Sequence, residues 1–193
     1  MNRILVVDNY DSFTFNLVHM LEAIANEDVD VFRNDELTTS QLTNYEFIVF
    51  SPGPGLPEES ENLLNLIREA IKLKKKVLGV CLGHQALAKA TGGKLKNLTE
   101  VHHGISHSLV VEIKEPLFND LPNPFKVGRY HSWVVDLESL SDQWCVTCRD
   151  EEGEIMGMNH RELPVFGIQF HPESVLSPNG KVILKNFLQV QAI

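Results

Sequence analysis

The sequence predicts an open α/β sheet, mostly parallel, with helices on both faces, to which antiparallel strands are added in the C-terminal half. Three observations carry that expectation. From residue 4 to residue 90, short apolar runs alternate with amphipathic stretches, the pattern left by strand–helix–strand crossovers. Two of the runs, ILVV at 4–7 and FIVFS at 47–51, are almost wholly apolar, as strands covered on both faces are. In the second half, strand-like runs and turn residues follow one another closely until a last helical stretch; the helical period returns only there.

The first strand, 4–7, leads into a helix that Asp11 or Ser12 can cap, with Phe13, Leu17, Leu21 and Ile24 on one face. A second strand is expected at 29–32, a short helix at 38–42 and a third strand at 47–51. A helix follows at 58–72, with Leu63, Leu64, Ile67 and Ile71 apolar, then a fourth strand at 77–81 and a helix at 82–90. Thr91-Gly92-Gly93 ends that helix through a left-handed glycine. Strands are expected at 108–113, 125–130, 133–135, 144–149, 155–159 and 165–170, extending the sheet or packing beside it. A helix at 178–190, with Val182, Ile183, Phe187 and Val190 apolar, closes the pattern. No repeat, low-complexity tract or linker interrupts it, so residues 1–193 are expected to form one domain.

With 43% hydrophobic and 22% charged residues the composition is that of a globular protein rather than a disordered chain. A net charge of -9 argues against a nucleic-acid partner, which would call for a basic face. The one basic run, KLKKK at 72–76, falls where a helix should end and complements its dipole. No signal peptide or bilayer-length apolar stretch is visible, and three cysteines do not suggest a disulfide framework. A reducing cytoplasm fits best. Cys145 and Cys148 form a C-x-x-C, but on a strand residues three apart face opposite ways, and no further ligand pair follows. His102, His103 and His107 are expected to form a surface cluster, with Gly104 turning the chain into the strand that follows.

The chemistry centres on Gly79-Val80-Cys81-Leu82-Gly83, a G-x-C-x-G at a strand-to-helix junction. It is the thiol counterpart of the nucleophile elbow, a sharp turn that lifts one side chain out of the backbone. A helix N-terminus favours the thiolate, the reactive form. Taken alone, the stretch serves equally as a turn around a small buried Cys. A nucleophile needs a base, and the base a group to hold it. His171-Pro172-Glu173 supplies both, since residues two apart in an extended segment share a face. His160-Arg161-Glu162 has the same spacing but lies in a polar stretch between two strands, so an exposed hairpin is expected there. His84 is near Cys81 in sequence but lies inside the helix, and His131 remains as a possible wall of the substrate site. The N–H groups of Leu82 and of Gly53, in the SPGPG run at 51–55, are candidates for an oxyanion hole.

Five stretches carry a family resemblance: DNYDSFTFNL at 8–17, SPGPGLP at 51–57, GVCLGHQAL at 79–87, GRYHSW at 128–133 and GIQFHPES at 167–174. With them the chain resembles the class I, triad-type glutamine amidotransferases. Within these it is similar to the small subunits of anthranilate synthase and aminodeoxychorismate synthase. The resemblance implies a flavodoxin-like fold and a catalytic triad of Cys81, His171 and Glu173. It also implies an oxyanion hole from Gly53 and Leu82, and a glutamine site of Gly53, Pro54, Gly55, Gln85, Ser132 and Trp133. Glutamine would be hydrolysed through a Cys81 thioester with no metal or other cofactor, and the ammonia passed to a chorismate-binding partner subunit, with no role for nucleic acid or membrane. One departure is Ile105, after His103-Gly104, where members of the family it resembles commonly read Lys. A stand-alone thiol hydrolase or peptidase, a glutaminase serving another synthase, and a regulatory subunit with a dead site are the other readings.

Overall fold

The computed structural model describes residues 3–114 and 116–191, leaving the side chains of residues 100–103 outside the description. Nine strands form a sheet of order β2-β1-β3-β4-β9-β8-β7-β5-β6. These are β1 Ile4–Asp8, β2 Asp30–Arg33, β3 Phe47–Phe50, β4 Lys76–Val80, β5 Leu95–Val111, β6 Phe125–Val135, β7 Trp144–Arg149, β8 Ile155–His160 and β9 Val165–Ile168. The helices are α1 Thr14–Ala25, α2 Leu63–Lys72, α3 Leu82–Ala90 and α4 Gly180–Leu188. The pairings among β2, β1, β3, β4 and β9 are parallel, and those from β9 through β8, β7 and β5 to β6 are antiparallel. The antiparallel strands therefore continue the sheet rather than pack beside it.

The apolar runs are buried on both faces because each face has its own helices. Ile4 and Val6 of β1 join Leu17, Leu21, Ile183 and Phe187 of α1 and α4 in one core. Leu5 and Val7 join Leu63, Ile67, Ala86 and Leu87 of α2 and α3 in the other. A buried aliphatic side chain contributes about 1.5–3 kcal/mol. A one-residue slip of β1 would exchange the two sets, so the register is tightly specified.

The expected elements are found, with shifts that have local causes. The helix expected from residue 58 begins at Leu63; a 3-10 turn, Pro57–Glu59, precedes it. Glu59 accepts from the backbone N–H of Leu56 at 2.8 Å, capping that turn rather than the helix. At the start of α1, Asp11 accepts from the N–H of Phe13 at 2.7 Å, but neither Asp11 nor Ser12 caps the helix: the cap position is Phe13, without a side-chain hydrogen bond. The largest difference is at Gly104, which turns no corner: β5 runs through it as a single strand of 17 residues. Gly104 takes φ +68° beside a register shift against β6, so its left-handed backbone serves a bulge instead of a turn. Residues 125–130 and 133–135 likewise belong to one strand, β6. His107 is half-buried rather than at the surface, and the side chains of His102 and His103 lie outside the described residues. Ile105 is 47% exposed on β5. Cys145 is half-buried and donates to the Asn159 carbonyl, whereas Cys148 is fully buried, which pushes its thiol well up. Among the described residues no helix is long and apolar enough to cross a membrane.

Candidate active site

β4 is buried from end to end and α3 begins at Leu82, so the whole reversal falls on Cys81. Its backbone takes φ 52° and ψ -101°, a strained conformation for a residue with a Cβ. The turn is held by its N–H, which donates to the Ile168 carbonyl at 2.9 Å, and by its carbonyl, which accepts from Gln85 at 3.0 Å. α3 must lie tight against β3: a Cβ at Gly83 would overlap the Phe50 carbonyl and come within 2.9 Å of the Phe50 Cβ. That close approach is why glycine follows the elbow.

β9 pairs parallel with β4, Val80 opposite Ile168. The segment leaving β9 therefore arrives beside the elbow, and Gln169, His171 and Glu173, two apart in sequence, come to it together. His171 Nδ1 and a Glu173 carboxylate oxygen are 2.6 Å apart, and the two residues are only 2% and 6% exposed. Ser177 holds the histidine from behind. Its hydroxyl donates to the His171 carbonyl at 2.6 Å and accepts from the Gly128 N–H at 2.9 Å, while His171 N–H donates to the Gly128 carbonyl. The Phe13 and Tyr130 rings pack against the imidazole in T-shaped arrangements, with centroids 5.7 and 4.9 Å away.

Burial works against a charged His171, but the Cys81 sulfur and the Glu173 carboxylate outweigh it, and the pKa is pushed up to about 11. Cys81 raises it chiefly through charge, and Nε2 is buried with no partner in hydrogen-bond geometry among the described residues. Gln169 Nε2 lies 3.7 Å from the sulfur, and its Oε1 accepts from Gln85 Nε2 at 3.2 Å. Gln85 Nε2 also donates to the Trp133 carbonyl at 2.8 Å. The sulfur is thus joined through two amides to the half-buried Ser132-Trp133 segment of β6.

Gly53 reaches the same place from β3. A Cβ there would come within 2.6 Å of Leu82 and 2.7 Å of Asn9. Asn9 clamps the loop, its N–H donating to the Ser51 hydroxyl and its amide to the Ser51 carbonyl, both at 2.9 Å. Pro54 and Gly55 border a cavity of about 330 Å³ with Asn9, Tyr10, Asn34 and Glu59. Cys81 is 6% exposed. A cavity of about 520 Å³ opens elsewhere, among Arg3, Tyr45, Glu46, Lys75 and Lys76.

His160 and His84 stay apart. His160 Nδ1 accepts from the N–H groups of Glu162 and Leu163, both at 3.1 Å, so that His-x-Glu closes the hairpin between β8 and β9. His84 is fully buried against Gly167, and burial pushes its pKa down to about 3. Gln169, Phe13, Tyr130 and Ser177 were not singled out from sequence. Only Gln169 carried a signal, two residues before His171 on an extended segment and so on the same face.

The model of the family described as glutamine amidotransferase class-I matches residues 5–190. The chain belongs to the class I glutamine amidotransferases. It is 46% identical to the aminodeoxychorismate synthase component 2 of Escherichia coli, over 96% of this chain and 98% of that protein. It is 40% identical to the aminodeoxychorismate/anthranilate synthase component 2 of Bacillus subtilis, over 96% and 95%. With the bifunctional protein TrpGD of Thermotoga maritima it shares 43% identity over its whole length, which spans about a third of that protein. A solved glutamine amidotransferase structure from T. maritima, 19% identical, superposes with a TM-score of 0.82 over 97% of this chain and 96% of that one. The amidotransferase fold is thus common to both, and Cys81 lies at the carboxyl end of β4, on the rim where open α/β sheets bind ligands.

Proposed function

We propose that the chain is the glutaminase subunit of a chorismate-using synthase, making ammonia for anthranilate, for 4-amino-4-deoxychorismate, or for both. The observation that carries this is one arrangement: a strained Cys81 at the N-terminus of α3, beside a buried His171–Glu173 pair. The nucleophile is Cys81. With its pKa near 11, His171 holds the proton at neutral pH, as an acid that will donate to a leaving amine must. Sulfur attacks the side-chain carbonyl of glutamine, and the N–H groups of Leu82 and Gly53 receive the oxyanion. Collapse breaks the C–N bond, His171 gives its proton to the nitrogen, and ammonia leaves behind a γ-glutamyl thioester. The sulfur charge that had raised the ring's pKa is then gone. The imidazole can now take a proton from water, which attacks the thioester to release glutamate and restore the thiol. Glu173 orients the ring throughout, and Gly53, Pro54, Gly55, Gln85, Ser132 and Trp133 line the glutamine site.

The partner subunit binds chorismate and receives the ammonia, as the names of the E. coli and B. subtilis relatives suggest for this chain too. Near-complete cover over Cys81 supports a site that opens or aligns on docking. Three free cysteines fit a cytoplasmic setting. In the assembled synthase, Cys81→Ala should abolish glutamine-dependent synthesis and leave ammonium-dependent synthesis intact; retention of the glutamine reaction would reject the proposal. Glutamine hydrolysis should be faster with the partner than without it, and equal rates would reject the gating. The chorismate enzyme that co-purifies, and its product, decide between the two pathways. Brisk turnover of γ-glutamyl peptides by the isolated chain would favour a stand-alone hydrolase instead.

A further inference from the structure

Below the Ser132-Trp133 segment lies a charged pair with no part in the chemistry above. Arg129 and Asp150 are 1% and 6% exposed, and Arg129 Nη1 lies 2.7 Å from the Asp150 carboxylate. Burying such a pair often costs more than well-packed apolar residues of the same volume would. Here Arg129 Nη2 is even left without an acceptor among the described residues. The pair leads to one place. Arg129 Nε lies 3.1 Å from His131 Nε2, and His131 Nδ1 lies 3.0 Å from the Trp133 carbonyl.

Those two contacts leave one proton arrangement. A guanidinium only donates, so Nε2 must be the accepting nitrogen; a carbonyl only accepts, so the proton sits on Nδ1. Arg129 therefore selects the tautomer that donates to Trp133. Asp150 is itself fixed, its second oxygen accepting from the N–H groups of Glu152 and Glu154 at 3.1 and 2.8 Å. The Trp133 carbonyl receives a second hydrogen bond from Gln85. Side chains are needed there because the ladder between β5 and β6 breaks: Asn97 pairs with Trp133 and His102 with His131, leaving Ser132 without a registered partner.

We propose that Asp150, Arg129 and His131 are a positioning relay that sets the Ser132-Trp133 wall of the glutamine pocket. The proposal rests on the glutaminase reading and extends it to residues that touch neither the thiol nor its base. Because the relay shapes the pocket and not the triad, its loss should weaken glutamine binding and spare the chemical step.

The test is glutamine hydrolysis by the assembled synthase carrying His131→Phe, His131→Asn or Asp150→Asn. His131→Phe removes the donor and should raise KM for glutamine about tenfold, the worth of one hydrogen bond, with kcat within about threefold of the parent. His131→Asn can offer an amide N–H at the Nδ1 position and should recover most of that loss. Alkylation of Cys81 by iodoacetamide should keep its rate in all three. Asp150→Asn, which keeps shape and loosens the guanidinium, should move KM the same way with a cooperative melting transition. A native KM in Asp150→Asn overturns the proposal, whether or not His131→Phe folds, and so does a fall in kcat at unchanged KM. Absence of glutamine hydrolysis by the parent complex would instead sink the glutaminase reading.

Discussion

Two stretches of this chain read His-x-Glu, and the fold uses them in opposite ways. At 171–173 the imidazole and carboxylate face each other at 2.6 Å, nearly closed off from water, and the ring is drawn to its charged form. At 160–162 the ring accepts two backbone N–H bonds from its own hairpin, pairs with Gln143 at 3.2 Å and stays half-buried against Trp144. The difference is one of company. Spacing lets a carboxylate reach a ring; only the pairing of β4 with β9 brings a third group, here the Cys81 sulfur, alongside one of the two pairs.

The sharpest way to break this contrast is to exchange the consequences. Cys81→Ala should lower glutamine hydrolysis by about 10⁴-fold or more, while His160→Ala leaves kcat within about twofold in the same complex. A His160 variant as damaged as the Cys81 one would erase the distinction. Next in size, Glu173→Gln should reduce kcat by about 10²–10⁴-fold, against no change for Glu162→Gln. Gly83→Ala tests the scaffold: the added methyl meets the Phe50 backbone, and urea unfolding should show a loss of about 1–3 kcal/mol.

The pH dependence of stability sharpens the contrast further, because the two rings carry opposite signs. The His171 pKa is raised from 6.5 to about 11. Its contribution is therefore fully present below about pH 6.5 and lost as pH rises toward 11. Burial lowers the His160 pKa, so its contribution is present above the unfolded value and lost as pH falls. In urea unfolding across pH, His171→Gln should flatten the alkaline side. His160→Gln should change only the acid side, and by the smallest amount of any variant here. An alkaline slope that survives His171→Gln would show that the ring is not held charged.

The sequence by itself settled what depends on neighbours in the chain. Apolar runs with amphipathic stretches between them determined a parallel sheet with two cores, and strand, Cys81 and helix in immediate succession determined the elbow. Spacing put Glu173 within reach of His171, although the two meet across a turn, in which the Ser174 N–H donates to the His171 carbonyl at 3.3 Å, and not along an extended segment. Tertiary structure decided what depends on residues distant in sequence. It chose which His-x-Glu reaches Cys81, since that follows from β9 lying beside β4. It carried β5 straight through Gly104, because pairing along β6 outweighs a glycine's preference for a turn. It covered the thiol, and it joined Asp150 to the Trp133 carbonyl through Arg129 and His131. Local periodicity sets the kind of element, whereas meetings between distant side chains follow from strand order and packing, which no short window of residues contains.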